Sequence, residues 1–182
     1  MKKLRIFLLL GFFFLDWPFM LGAIPGQDSI RTFFPEGVLP SGQAAVLLWL
    51  SPECPVCNRY PTIWKKLAND FPSAHFIGVF TTWEKKKDAR RFMRNYSMPF
   101  PWFIDEDNRL SRALGVNTTP EVLLLDKRLA IRYRGATDDW FTALGKAAPA
   151  PKRHYLALAL EALGRGQPIL VERTQVVGCL FE

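Results

Sequence analysis

The sequence predicts an α/β protein, a three-layer α/β/α sandwich with a mixed central sheet, and three observations carry that reading. Apolar runs bounded by turn residues alternate with amphipathic stretches between residues 44 and 114, the pattern of parallel strands joined by crossover helices. Two further apolar runs, residues 121–125 and 129–133, flank Asp126-Lys127-Arg128, a hairpin signal that adds antiparallel edge strands. Hydrophobic residues make up 49% and aromatics 14% of a 182-residue chain, which supports one substantial core and excludes a disordered protein.

Each element has its own signal. Residues 44–50 (AAVLLWL) form a continuous apolar run, as expected of a buried central strand. Residues 58–71 carry Tyr60, Ile63, Trp64, Leu67 and Phe71 on one helical face and Lys65, Lys66, Asn69 and Asp70 on the other. Pro61 lies inside that stretch and is expected to kink it. Residues 75–80 (HFIGVF) read as a second buried strand. Thr81 and Glu84 have capping-box spacing, opening a helix that buries Ala89, Phe92, Met93 and Tyr96. Pro99 and Pro101 close it, and Trp102-Phe103-Ile104 is a short strand ending at Asp105. A brief helix buries Leu110, Ala113 and Leu114 and stops at Gly115. After the hairpin, residues 136–152 read as a loop, and Tyr155, Leu156, Ala159, Leu160 and Leu163 mark a final helix.

The ends divide the chain further. Lys2, Lys3 and Arg5 precede a ten-residue apolar stretch, residues 6–15, with the length of a secretory core rather than a membrane span. Residues 1–23 are therefore expected to be a signal peptide, or else an N-terminal anchor containing Asp16 at a cost of about 2.5–3.5 kcal/mol. Residues 24–43 read as a lead-in, 44–166 as the folded domain, and 167–182 as a tail carrying Cys179. The expected location is exported: periplasmic, or membrane-anchored and facing the extracytoplasmic side. The formal charge of +7 falls to +5 without residues 1–23. Much of the excess sits on Lys85, Lys86, Lys87, Arg90, Arg91 and Arg94, read as a solvated helix face. No nucleic-acid motif accompanies it, so no nucleic-acid partner is expected.

Chemistry concentrates in Cys54-Pro55-Val56-Cys57, at the junction of the first strand and first helix. Helix-end amides favour a thiolate there, and a second thiol two residues on is within reach to close a ring. Zinc sites use the same spacing, but His75 and His154 are the only histidines, and both read as structural or solvated. Three cysteines are an odd count for an exported chain, which leaves Cys179 to be explained.

The chain resembles the thioredoxin superfamily, and within it bacterial redoxins of the peroxiredoxin/thiol-disulfide group related to AhpC/TSA. Cys54-Pro55-Val56-Cys57-Asn58-Arg59-Tyr60 is similar to the active-site segment of that group. Gly115-Val116-Asn117-Thr118-Thr119-Pro120 is similar to its cis-proline loop. Tyr133-Arg134-Gly135 with Asp138-Asp139, and the ending Val177-Gly178-Cys179-Leu180, are similar to its later stretches. The resemblance implies a thioredoxin-like fold and a thiol-disulfide oxidoreductase with Cys54 as exposed nucleophile and Cys57 as buried resolving thiol. A static disulfide and a metal site stand as alternatives for the pair. It further implies a cis bond at Pro120, with Thr119 pairing with an extended substrate. Cys179 is a candidate third redox cysteine or a buried small hydrophobe. The implied partners are protein thiols or disulfides and an upstream redox protein, with a membrane tether through the N-terminus as an option and no cofactor. Two other functions stay open: a peroxide-reducing redoxin, and a copper-handling or assembly module using the CxxC as a soft-metal site. Ser51 and Leu47 stand where peroxiredoxins carry Thr and Pro; the Ser51 hydroxyl can stand in for the Thr, while the missing Pro at Leu47 counts against peroxide chemistry. Glu53, next to Cys54, disfavours a thiolate there.

Overall fold

The apolar run Ala44–Leu50 forms β1, the centre of a five-stranded sheet. This is a computed structural model that describes residues 30–181, so the expected export segment, residues 1–23, lies outside the described residues. β1 is buried on both faces because its alternate side chains enter two different cores. Val46, Leu48 and Leu50 belong to one, Ala45, Leu47 and Trp49 to the other.

A 3-10 turn, Cys57–Arg59, leads into α1 (Pro61–Asp70). β2 (Ala74–Thr81) lies parallel to β1, Ala44 opposite Ala74 and Leu50 opposite Phe80. Then come α2 (Lys86–Asn95), β3 (Trp102–Asp105, parallel to β2) and α3 (Arg109–Leu114). A two-residue strand, β4 (Thr118–Thr119), precedes the hairpin of β5 (Glu121–Leu125) and β6 (Ile131–Gly135). β5 runs antiparallel to β1, with Trp49 opposite Glu121, giving the order β3-β2-β1-β5-β6. A small hairpin, β7 (Phe141–Ala143) with β8 (Lys146–Ala147), and α4 (Tyr155–Gly164) follow. The tail ends in β9 (Cys179–Leu180).

One face of the sheet is covered by Trp64 and Leu67 of α1, Phe92 and Met93 of α2, and Leu156 and Leu160 of α4. The other is covered by Leu110 and Leu114 of α3 and by Ile30 and Leu39 of the lead-in. Among the described residues no helix is long and apolar enough to cross a membrane.

Three local expectations are corrected. Pro61 does not kink a helix; it is the first residue of α1, where its fixed φ and missing N–H cost nothing. Thr81 and Glu84 form no capping box: α2 begins at Lys86, with Lys85 as an N-cap that makes no side-chain bond. Residues 136–152 contain the β7–β8 hairpin, closed by Trp140 Nε1 donating to the Ala148 carbonyl at 2.9 Å. The tail is a structural element, held on β6 by Arg134 N–H donating to the Glu172 carbonyl and Thr174 N–H to the Arg134 carbonyl, at 2.9 and 3.0 Å.

Candidate active site

The cysteine loop hangs from the C-terminal end of β1 and is held by Asn58. The Asn58 amide donates to the carbonyls of Pro52 and Cys54, both at 2.9 Å, while Tyr96 Oη donates to Asn58 Oδ1 at 2.8 Å. The next residues tie the start of α1 to the chain after β6. Tyr60 Oη donates to Asp138 Oδ1 at 2.6 Å, Trp64 Nε1 donates to Thr137 Oγ1 at 2.9 Å, and the Arg59 guanidinium lies over Trp140, 5.1 Å from the ring centroid. Tyr60 stacks on Trp64 with 5.4 Å between centroids. Burial, then the Asp138 carboxylate, push the Tyr60 phenol well above its usual range. Burial also raises Asp138, whose Oδ2 is buried without a hydrogen bond.

The structure joins Cys54 not to Cys57 but to Cys179, across a Cα–Cα distance of 6.0 Å. Cys54 is consequently covered, at 1% exposure, where the resemblance implies an exposed nucleophile. Cys57 remains a free thiol at 0% exposure. Burial pushes it up to about 12, opposed by Ser51 N–H, which donates to Cys57 Sγ at 3.4 Å, and by the Thr119 side chain, with Glu84 adding to the rise. Such a thiol is neutral in this state.

Tail and loop meet at Thr119. β9 pairs antiparallel with β4, Thr118 opposite Leu180 and Thr119 opposite Cys179. Thr119 Oγ1 donates to the Cys179 carbonyl at 3.4 Å, and Phe181 N–H to the Asn117 carbonyl at 2.9 Å. The Thr119–Pro120 peptide is cis, and the Thr119 carbonyl oxygen lies 3.2 Å from Cys54 Sγ. Cys54, Cys57, Thr119, Pro120 and Cys179, five residues spread over the sequence, thus share one site. His75 and His154 are not part of it, and among the described residues no three His, Cys, Asp or Glu side chains converge to hold a metal.

Beside the disulfide is a cleft of about 390 Å³, walled by Glu53, Trp83, Glu84 and Leu180. Glu84 is half-buried there, and burial raises its carboxyl above the ordinary range, with Ser51 holding it down and Glu53 adding to the rise. Sequence reading missed Glu84 and Trp83 as site residues. The available signal was their position just past the C-terminal end of β2, beside the strand that carries the cysteines.

Comparison with known proteins bears on the family and the fold. A model of the AhpC/TSA family matches residues 36–134, more than half of the chain. The chain belongs to the AhpC/TSA family. No curated protein matches it. Among solved structures, an uncharacterized conserved protein from Geobacillus kaustophilus is 23% identical over 78% of each chain, with a TM-score of 0.70. The hypothetical protein SMc02350 from Sinorhizobium meliloti is 20% identical, covering 77% of this chain and 79% of that one, at 0.68. A secreted Mycobacterium tuberculosis disulfide oxidoreductase, described as homologous to E. coli DsbE, is 19% identical, covering 67% of this chain and 83% of that one, at 0.50. The fold is thioredoxin-like. Within the family, this chain places Ser51 and Leu47 where peroxiredoxins are expected to carry Thr and Pro.

Proposed function

We propose that the protein is an exported thiol-disulfide oxidoreductase that cycles its CPVC dithiol/disulfide with protein partners. The observation that carries this is Cys54: it already holds a disulfide with a second cysteine while a free thiol, Cys57, stands one turn behind it. In the reducing direction the Cys54 thiolate attacks a partner disulfide, the partner's S–S bond breaks, and the departing sulfur leaves as a thiolate that takes up a proton. Cys57 then loses its proton and attacks Cys54 Sγ, the mixed disulfide breaks, and the partner leaves with both sulfurs reduced. The two electrons remain with the partner, and the protein leaves as the Cys54–Cys57 disulfide. Thr119 fits the role of pairing with the substrate backbone, since it lies against Cys54 Sγ and already pairs with a strand there. Export is supported by the charged and apolar residues 1–15 and by the secreted mycobacterial neighbour.

The test is turnover with a protein disulfide. Cys54→Ser is expected to abolish it, and Cys57→Ser to accumulate partners as mixed disulfides. One tightly bound Cu(I) with no disulfide turnover would replace this reading with the metal-handling one. Thiol-dependent consumption of peroxide would replace it with the peroxidase one.

A further inference from the structure

The tail occupies the place where a substrate strand would lie. Its last described residues pair antiparallel with Thr118 and Thr119, put the Cys179 sulfur on Cys54, and pack Phe181 against the core cluster beneath. Leu180 between them points outward at 76% exposure. The approach is closest at Gly178. A Cβ there would overlap the carbonyl oxygen and carbon of Thr119 and come within 3.0 Å of Thr118 Cγ2. Gly178 does not have a left-handed backbone, so the requirement is one of space. Backbone atoms of β4 form the obstacle, and they cannot swing aside as a side chain could.

Building on the proposed oxidoreductase activity, we infer that residues 178–181 are a tethered substrate strand. The site selects extended polypeptide segments in which glycine directly precedes the reacting cysteine and an apolar residue follows two positions later. Tail and partner exclude one another, because both need the same edge of β4 and the same sulfur. The tail is released by internal exchange. Cys57 gives up its proton and attacks Cys54 Sγ, the Cys54–Cys179 bond breaks, and Cys179 leaves as a thiolate and takes up a proton. One disulfide is made as one is broken, so no outside reductant is consumed.

The test uses the chain carrying Cys57→Ser and Cys179→Ser, which leaves Cys54 as its one cysteine. Its folding is checked by circular dichroism. The probes are an octapeptide of residues 174–181 with its cysteine activated as a mixed disulfide with nitrothiobenzoate, the same peptide with alanine for the glycine, and the small nitroaromatic disulfide alone. The glycine peptide is expected to label Cys54 at least about tenfold faster than the alanine peptide. Equal rates, with Cys54 still reacting with the small disulfide, overturn the inference and leave the oxidoreductase reading standing. Failure of Cys54 to react with any of the three sinks both. A second measurement keeps the native cysteines: Gly178→Ala is expected to move the disulfide from Cys54–Cys179 to Cys54–Cys57 by mass mapping. An unchanged Cys54–Cys179 bond overturns the inference.

Discussion

Cys57 shows how a single residue's surroundings set its chemistry. It has no exposure to solvent, and burial dominates the rise of its thiol from 9.0 to about 12. Below pH 9 both the folded and the unfolded chain hold the proton, and the full benefit of burying a neutral thiol is present. As pH rises from 9 toward 12, the unfolded chain gives up its proton while the folded chain keeps it. Stability therefore falls with pH, by about 1.4 kcal/mol for each unit in that window. Urea midpoints at pH 8 and pH 10 are expected to separate in the native chain by more than in Cys57→Ser, which lacks the titrating group. Equal separations would show that Cys57 is not buried as a neutral thiol. The same chemistry bears on exchange: in the tail-bonded state Cys57 is a poor nucleophile, and it must lose its proton before it can displace Cys179.

At the scale of elements, α1 is aimed by the side chains of its first turns. Asn58 gathers the cysteine loop, and Tyr60 and Trp64 dock it onto Thr137 and Asp138. Tyr60→Phe removes the hydroxyl donor to Asp138 Oδ1, and Oδ2 of that carboxylate already lacks a partner. We expect a loss of about 1–3 kcal/mol at neutral pH, smaller in acid where Asp138 takes up a proton, read from urea denaturation. An unchanged midpoint at pH 7 would mean that the contact adds nothing. Local pattern located most of these elements, since the burial of β1, β2 and β5 follows from continuous apolar runs. It failed where one residue type serves two roles. Pro61 breaks a helix interior but suits a first helical position, and the choice depends on where the preceding 3-10 turn ends. Glu84 has the spacing of a cap, yet it faces the cysteine cleft because β2 extends through Thr81 and α2 waits until Lys86.

On the scale of the whole molecule, the Cys54–Cys179 bond ties β1's end to the tail across 125 residues. A cross-link over so long a loop restricts the unfolded chain strongly, by roughly 4–5 kcal/mol on chain-entropy grounds. The oxidised native chain is expected to exceed the reduced one in stability by an amount of that order, and Cys179→Ser to lose most of the difference. Guanidinium unfolding of both redox forms measures it. A difference that persists undiminished in Cys179→Ser would assign the stabilisation to another bond.

The sequence by itself determined the fold class, the cysteine loop after β1 and the Thr119-Pro120 turn, because each rests on residues adjacent in the chain. Apolar runs of strand length, a CxxC at a strand-to-helix junction and a Thr-Pro before a strand are local signals. Tertiary structure decided which cysteine Cys54 is joined to. With three cysteines the pairing is not a property of spacing. It follows from Glu172 and Thr174 bonding along β6, which leads the tail across the sheet's end, and from β9 pairing with β4, which sets Cys179 opposite Thr119. Proximity in space, reached through contacts far apart in sequence, placed the third thiol at the site.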